Sequence, residues 1–454
     1  METLTSYPIL HVAGAAAANG LLRLAEQGAR KYGDLFAVQV ESGPEVIILA
    51  SNNHVGTWQA QPEAFEKDFD HFPTSASLTR LLLGPTLLTA RDGPEWSQMR
   101  KEMTSIMRVS KPWFLTALEA ATEQLVIDIS NVADKGSFDI FPFALDWAVR
   151  SVCSPILGPA VSHAAAIELV EALQACFLAM VARGGAKAAD YEDQADFRRA
   201  KAMISAVLQD AIAGAGPGDK TITASCLAAM PEGASPDLKR AELANVVIGL
   251  LAASLHINAL ALVWTISGLA RNRELADAIA HESFQGGDCA QQVTKTPIAF
   301  AAVREAQRLY PAVPLIERRL TKTMSFSGYE IPAGSTVLFA AWLIQRDARH
   351  WSDPTTFDAA RFLPRVAHSP DSYLPFGVGA RTCAGMNLVF HQLTHAISQV
   401  AGAFNIDLAP DCRPGDLAPV MRVNLEPRGE IRLLAKRRTA SIADRPLKQE
   451  ENHA

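Results

Sequence analysis

Residues 1–19 of this 454-residue chain contain no continuous apolar stretch of the ~20 residues that a bilayer-spanning helix needs. They also lack a charged segment ahead of their apolar part. The sequence therefore predicts no membrane anchor and a cytoplasmic location. The longest apolar run, Val246 to Leu255, is interrupted by Gly249 and Ser254 and followed by His256 and Asn258, which predicts a buried core helix. Cysteine is scarce: Cys153, Cys176, Cys226, Cys289, Cys383 and Cys412 have neither metal-ligand spacing nor a disulfide framework. That suggests no structural zinc centre and fits a reducing compartment. No basic block occurs, and 42 Lys+Arg against 48 Asp+Glu give a formal charge of −6. The electrostatic footprint of nucleic-acid binding is missing. Internal repeats and low-complexity blocks are absent as well.

What is present is apolar patterning: 49% hydrophobic residues in a chain of this length can bury a large core, and length alone would suggest two or three domains. Helical periodicity runs over Gly20 to Tyr32 with a stop at Gly33, from Pro94 onward, and over 115–133, 141–157, 164–183, 197–213, 237–271, 273–283 and 297–309. Phe36 to Val40 and Val46 to Ala50 read as a hairpin, and Val337 to Trp342 as an apolar strand. Residues 65–89 read as a long loop with about one helical turn. Gly184 to Asp196 is a glycine- and charge-rich break. From Thr439 the chain is polar and is expected to be disordered.

The stretch that organises the rest is Phe376-Gly377-Val378-Gly379-Ala380-Arg381-Thr382-Cys383-Ala384-Gly385. Glycines let a backbone take positive φ and approach a flat ligand. A helical pattern begins at Met386, which sets the Cys383 sulfur at a helix N-terminus, where backbone N–H groups favour a thiolate. We read Cys383 as the thiolate ligand of a haem iron. Upstream, Trp96 and Arg100 stand at i and i+4 and share a helix face, as do Glu305 and Arg308 at i and i+3.

The spacing Phe-Gly-x-Gly-x-Arg-x-Cys-x-Gly resembles the cysteine-ligand loop of the cytochrome P-450 family, and the order of the remaining motifs extends the resemblance along almost the whole chain. It implies a mainly α fold with small β-sheets, as one large haem-thiolate domain over 1–438 followed by a tail at 439–454. It implies haem b as cofactor, with Cys383 on the iron, Phe376 and Gly377 beside it, and Trp96, Arg100, Arg318 and Arg381 as candidates for holding the two propionates. Four cations exceed what two carboxylates need, so one or more can be structural. Glu305, Arg308 and Arg361 resemble the family's core triad, which would brace the cysteine loop. The break at 184–196 resembles a pocket lid. Pocket walls are expected at 72–88, around Phe177 and Met180, and at 249–257, 312–316 and 418–421. They are largely aliphatic and suit an apolar small molecule.

The central helix departs from the family pattern. Alignment on Trp264 and Ala270-Arg271-Asn272 puts His256 and Ile257 where most members carry an acid followed by Thr, a pair that serves proton delivery. Ile257 can donate nothing. His256 can serve as an acid if it reaches the pocket, or stand as a core histidine; Ser254 and Asn258 are the other polar candidates. Asn387 lacks the basic character often found on the electron-receiving face, leaving Lys101, Arg108 and Lys111 as contributors there. The resemblance implies a monooxygenase of the kind met in secondary metabolism, using dioxygen and electrons from a ferredoxin and its reductase. Two other readings stay open: a peroxide-using or partner-independent enzyme of isomerase or dehydratase type, and a non-catalytic haem sensor.

Overall fold

The computed structural model describes residues 7–12, 20–40, 45–67, 75–83, 93–106, 112–183, 190–216, 218–230, 233, 235–283, 295–364 and 369–438. Helices dominate. In chain order they are α1 (Leu21–Tyr32), α2 (Asn52–Ala60), α3 (Ser75–Leu83), α4 (Pro94–Ile106), α5 (Pro112–Val132), α6 (Phe141–Leu157), α7 (His163–Ala182), α8 (Ala195–Gly214), α9 (Ile222–Ala229), α10 (Pro236–Leu243), α11 (Gly249–Leu269), α12 (Arg273–Ser283), α13 (Pro297–Leu309), α14 (Ala341–Ile344) and α15 (Met386–Ala403). A six-stranded sheet, in spatial order β1 (Ile9–Val12), β2 (Leu35–Val40), β3 (Glu45–Leu49), β9 (Thr336–Phe339), β6 (Ile316–Leu320) and β4 (Phe65–Glu66), lies beside them. Smaller sheets join β10 (Phe404–Leu408), β13 (Arg432–Arg437) and β5 (Phe138–Asp139), then β11 (Pro419–Met421) with β12 (Leu425–Pro427), and β7 (Met324–Phe326) with β8 (Tyr329–Ile331). The mainly α class with small sheets is the one expected from sequence.

The hairpin expected at 36–50 forms as β2 and β3, antiparallel, with Leu35 opposite Leu49. Three local expectations change. The apolar run at 337–342 splits into β9 and α14, because both pieces are buried and an unbroken apolar run carries no period to tell strand from helix. Residues 65–89 hold the nine-residue helix α3, more than the single turn expected. The long helix expected over 237–271 is interrupted at Ala244–Ile248 by a π segment that separates α10 from α11. The expected tail at 439–454 lies outside the described residues, as do residues 184–189 of the break expected at 184–196.

Helix α11 runs through the middle of the fold. One side of it packs in a core with Leu125 and Ile129 of α5, Trp147 of α6, Val303 of α13 and Ile397 of α15. Its N-terminal half joins a second core with Leu78 of α3, Leu173 and Phe177 of α7, and Ile204 of α8. Both α7 and the span Val246–Leu269 are long and apolar enough to cross a membrane by length and composition, with 44% and 67% of their tested windows buried. The larger figure matches the core helix expected at 246–255. The sulfur-bearing loop sits at the N-terminal end of α15, which packs directly on α11, α12 and α13.

Candidate active site

The brace behind the loop is built on α13. Glu305 and Arg308, one helical turn apart, are fully buried and meet twice at 2.7 Å, Nε to Oε2 and Nη2 to Oε1. Arg361 Nε reaches Glu305 Oε1 at 3.3 Å, and the Asp358 N–H donates to the same oxygen at 2.9 Å. Arg308 Nη1 donates to the carbonyls of Gln345 and Pro354, both at 2.7 Å. A buried pair this well bonded repays its desolvation, and cutting one partner is costly. Gln345 carries the brace forward: its Nε2 donates to the Arg308 carbonyl at 2.8 Å, and its Oε1 accepts from the Leu374 N–H at 2.6 Å. Leu374 opens the segment that leads to the sulfur.

Within that segment the Gly377 N–H returns to the Leu374 carbonyl at 3.1 Å, and the Cys383 N–H to the Phe376 carbonyl at 2.9 Å. Closing so tight a loop needs φ of +69° at Gly377 and +72° at Gly379. Open space surrounds both α-carbons, so the requirement for glycine there is conformational and not steric. Phe376 meets Phe390 of α15 edge-on at 4.9 Å, which seats the loop on its helix.

Cys383 is exposed by surface area, yet burial pushes its thiol pKa up. Together these describe a sulfur in a concave part of the molecule. The backbone N–H of Gly385, the Arg100 guanidinium and the backbone N–H of Met386 act in the opposite direction without overcoming burial. This corrects the expectation that the helix terminus by itself keeps the sulfur ionised. A bound cation is what deprotonates a buried, N–H-bonded thiol.

Around the sulfur the fold gathers three of the aromatic and basic residues expected there. Arg100 Nη2 donates to the Thr382 carbonyl, and the Arg381 guanidinium lies 4.3 Å over the Trp96 ring. Arg318 is buried and stacks 4.3 Å over Trp58. Sequence reasoning missed Lys67. Its ammonium lies 3.1 Å from Glu317, and burial lowers its pKa, with Arg318 and Arg381 adding to that effect against Glu317. No spacing signal connects Lys67 to residues 250 positions away, so only the fold shows it.

The four polar or hydrophobic candidates on α11 separate. Ser254 Oγ donates back to the Leu250 carbonyl at 2.7 Å. Asn258 Nδ2 donates to Gln392 of α15 at 3.3 Å, which turns it toward the core between the two helices. Ile257 is partly buried. His256 stands 3.3 Å from Glu426 Oε1 and edge-on to Phe141 at 5.5 Å. Glu426, on β12, also accepts from Arg422 at 2.6 Å and from Gln174 of α7 at 3.2 Å. Burial alone would raise its pKa, but the bonds from His256 and Arg422 outweigh it and hold the carboxyl below its usual value. A carboxylate thus meets the helix at the position where the sequence lacks an acid, supplied by a distant hairpin.

His256 also lines a small cavity of about 10 Å³ between α7, α11 and the β11–β12 turn, with Phe177, Leu251, Leu255, Val423 and Asn424. Phe177 and the 249–257 segment were expected as pocket walls, and the turn extends the expected 418–421 wall to Asn424. Residues 72–74 and 84–88, and both Arg108 and Lys111, lie outside the described residues. Lys101 and Asn387 are exposed.

A single soft sulfur with cations nearby fits an iron porphyrin with acidic side arms, the group of the haem-thiolate class. The family model described as Cytochrome P450 matches residues 6–431, and the chain belongs to that family. It is 32% identical over 183 residues to a flavonoid 3'-monooxygenase of Petunia hybrida, covering 37% of this chain and 35% of that protein. It is 35% identical over 151 residues to a corytuberine synthase of Coptis japonica, covering 32% and 30%. With the mitochondrial sterol 26-hydroxylase of Homo sapiens it shares 28% identity over 213 residues, 44% and 39% of the two chains. The chain spans about a third to two-fifths of the length of these curated relatives.

Proposed function

We propose that the chain is a haem b monooxygenase that oxidises a small to medium apolar molecule, with residues 1–438 as its catalytic domain. The observation that carries the reading is the Cys383 loop, held through Gln345 by the buried Glu305–Arg308 pair in a chain of this family. Cys383 would hold the iron, with Phe376 and Gly377 beside it. Trp96, Arg100, Arg318 and Arg381 would hold the carboxylates. When bound, the group supplies oxygen activation and oxygen-atom transfer. The chain's own part is to hold and orient the sulfur, keep water from the apolar cavity, and deliver protons and electrons. His256 and Glu426 form the polar pair nearest the missing acid, and Glu426 holds the imidazole in place. Ferredoxin and its reductase fit as electron donors, with Lys101 on the docking face, and a cytoplasmic location goes with this reading.

One observation favours a second reading. Ser254 bonds to its own helix, Asn258 to α15, and Ile257 is a hydrocarbon, so a hydroxyl relay on α11 is not built from these residues. A peroxide-using or rearranging enzyme needs none. A carbon monoxide spectrum separates the two. The monooxygenase reading expects a thiolate-type band both with dithionite and with NADPH acting through a surrogate ferredoxin chain, and loss of that band in Cys383→Ala. A band with dithionite alone, repeated across several ferredoxins, favours the second reading. Retention of the band in Cys383→Ala overturns the ligand assignment.

A further inference from the structure

The buried charges around β4 and β6 do not balance. Lys67 directly follows β4, and its ammonium lies 3.1 Å from Oε1 of Glu317 on β6, a residue 2% exposed. The two strands run antiparallel with Glu66 opposite Arg319, so one further step of that register brings Lys67 level with Arg318. Burial, Arg318 and Arg381 all push the ammonium toward losing its proton, and Glu317 opposes them. Three cations thus crowd a corner in which Glu317 is the carboxylate that answers them.

The arginines of this group meet neutral partners. Arg318 Nη1 donates to the Glu317 carbonyl at 2.5 Å and its guanidinium lies over Trp58, while Arg381 covers Trp96. A carbonyl or a ring holds a cation in place without cancelling its charge. Lys67 instead meets an anion, and the pair is loose. Where Glu305 and Arg308 meet twice at 2.7 Å, Glu317 Oε1 has no hydrogen bond of good geometry among the described residues. A buried ion pair repays its desolvation only when such bonds are made. The lysine stem is flexible and its head carries three donors, so the ammonium can turn to a second carboxylate without leaving the corner.

We infer that Lys67 binds a carboxylate side arm of the haem, as a cofactor-positioning residue beyond the four expected from sequence, and that Glu317 competes with that side arm for its ammonium. The inference rests on the haem-thiolate reading above. A bound side arm brings the negative charge that the three cations lack. Glu317 weakens its hold by sharing the ammonium and by like-charge repulsion.

The test compares two groups of nearly one shape, haem and haem dimethyl ester, which differ in the charge of their side arms. Each is loaded into the protein, and its loss to excess apomyoglobin is timed. The natural protein should lose the ester faster than haem. Glu317→Gln, which removes the competitor, should raise that rate ratio about threefold, the effect of one screened like charge. Adding Lys67→Met to it should lower the ratio about tenfold, the worth of one hydrogen bond to a charged group. Lys67→Arg in the same background should keep the ratio. With Glu317 already neutral no buried charge is stranded, and a variant that is merely less stable sheds both groups faster at an unchanged ratio. A ratio that Lys67→Met leaves unchanged, or one that Glu317→Gln lowers, overturns the inference. The carbon monoxide spectrum of the same samples separates its failure from that of the functional reading. A thiolate band with an unmoved ratio removes only the role of Lys67; no thiolate band in the natural protein removes the haem-thiolate reading and this inference with it.

Discussion

Glu305→Gln is nearly isosteric, and the structure gives its cost. The carboxylate takes two bonds from Arg308 at 2.7 Å, one from the Asp358 N–H at 2.9 Å and one from Arg361 Nε at 3.3 Å, all at a site with no exposure. The amide can accept at one oxygen and turns its own N–H groups toward donors. It also leaves the buried Arg308 guanidinium without its counter-charge. Breaking a buried pair in this way costs about 3–5 kcal/mol. Some of that is recovered because Arg308 keeps the carbonyls of Gln345 and Pro354, so about 3 kcal/mol of lost stability is expected. Arg361→Lys, at the more accessible edge with one long contact to Glu305, should cost about 1 kcal/mol. Urea titration followed by tryptophan fluorescence reads both, with Trp351, whose ring lies 5.0 Å from the Arg308 guanidinium, as a local reporter. The same variant should load less haem, since the Gln345 link to Leu374 starts at this pair. A Glu305→Gln protein within about 1 kcal/mol of the natural one would refute the argument that the two charges form a desolvated, mutually compensating unit.

Two further outcomes follow from groups already placed or buried nearby. Burial pushes the imidazoles of His54 and His395 down to about 4, from an ordinary 6.5. The unfolded chain takes up their protons first, so their contribution is intact above pH 6.5 and is lost as pH falls from there toward 4, by up to about 3 kcal/mol for each group. Urea midpoints measured across that window should fall, and His395→Gln should flatten the slope by about half; an unchanged slope would show that His395 is not held neutral. Ile257→Thr places a hydroxyl on α11 beside His256, and under the monooxygenase reading it should raise product formed per NADPH consumed and lower released peroxide. Unaltered coupling would shift weight to the reading that needs no relay.

Much of this molecule is legible from residue order because its signals are local. Glycine stops, prolines at helix starts and apolar spacing place α6, α12 and α13 at the bounds expected, and the Gly377 and Gly379 positions announce a loop that only positive φ can close. The Glu305–Arg308 contact is one helical turn long and could be read the same way. What the sequence hides is long-range. His256 and Glu426 lie 170 positions apart, and no spacing rule connects them. Arg381, Trp96 and Arg100 come from two distant segments, so their stacking order appears only once α4 is laid over the loop. The strand expected through Trp342 failed for a different reason: where every side chain is buried, the apolar pattern loses its period and only backbone geometry tells strand from helix.

The π segment at Ala244–Ile248 is, in register terms, one residue too many in an otherwise continuous helix. The wider i→i+5 turn takes up that extra residue, so α10 and α11 keep nearly the phase they would have in an unbroken helix. Deleting a single residue there would let the backbone close into regular α-helix with the face that α10 shows to α8 and α9 kept, whereas the same deletion from a regular turn of α11 would rotate everything before it by about 100°. At this point the chain can lose a residue without losing its phase.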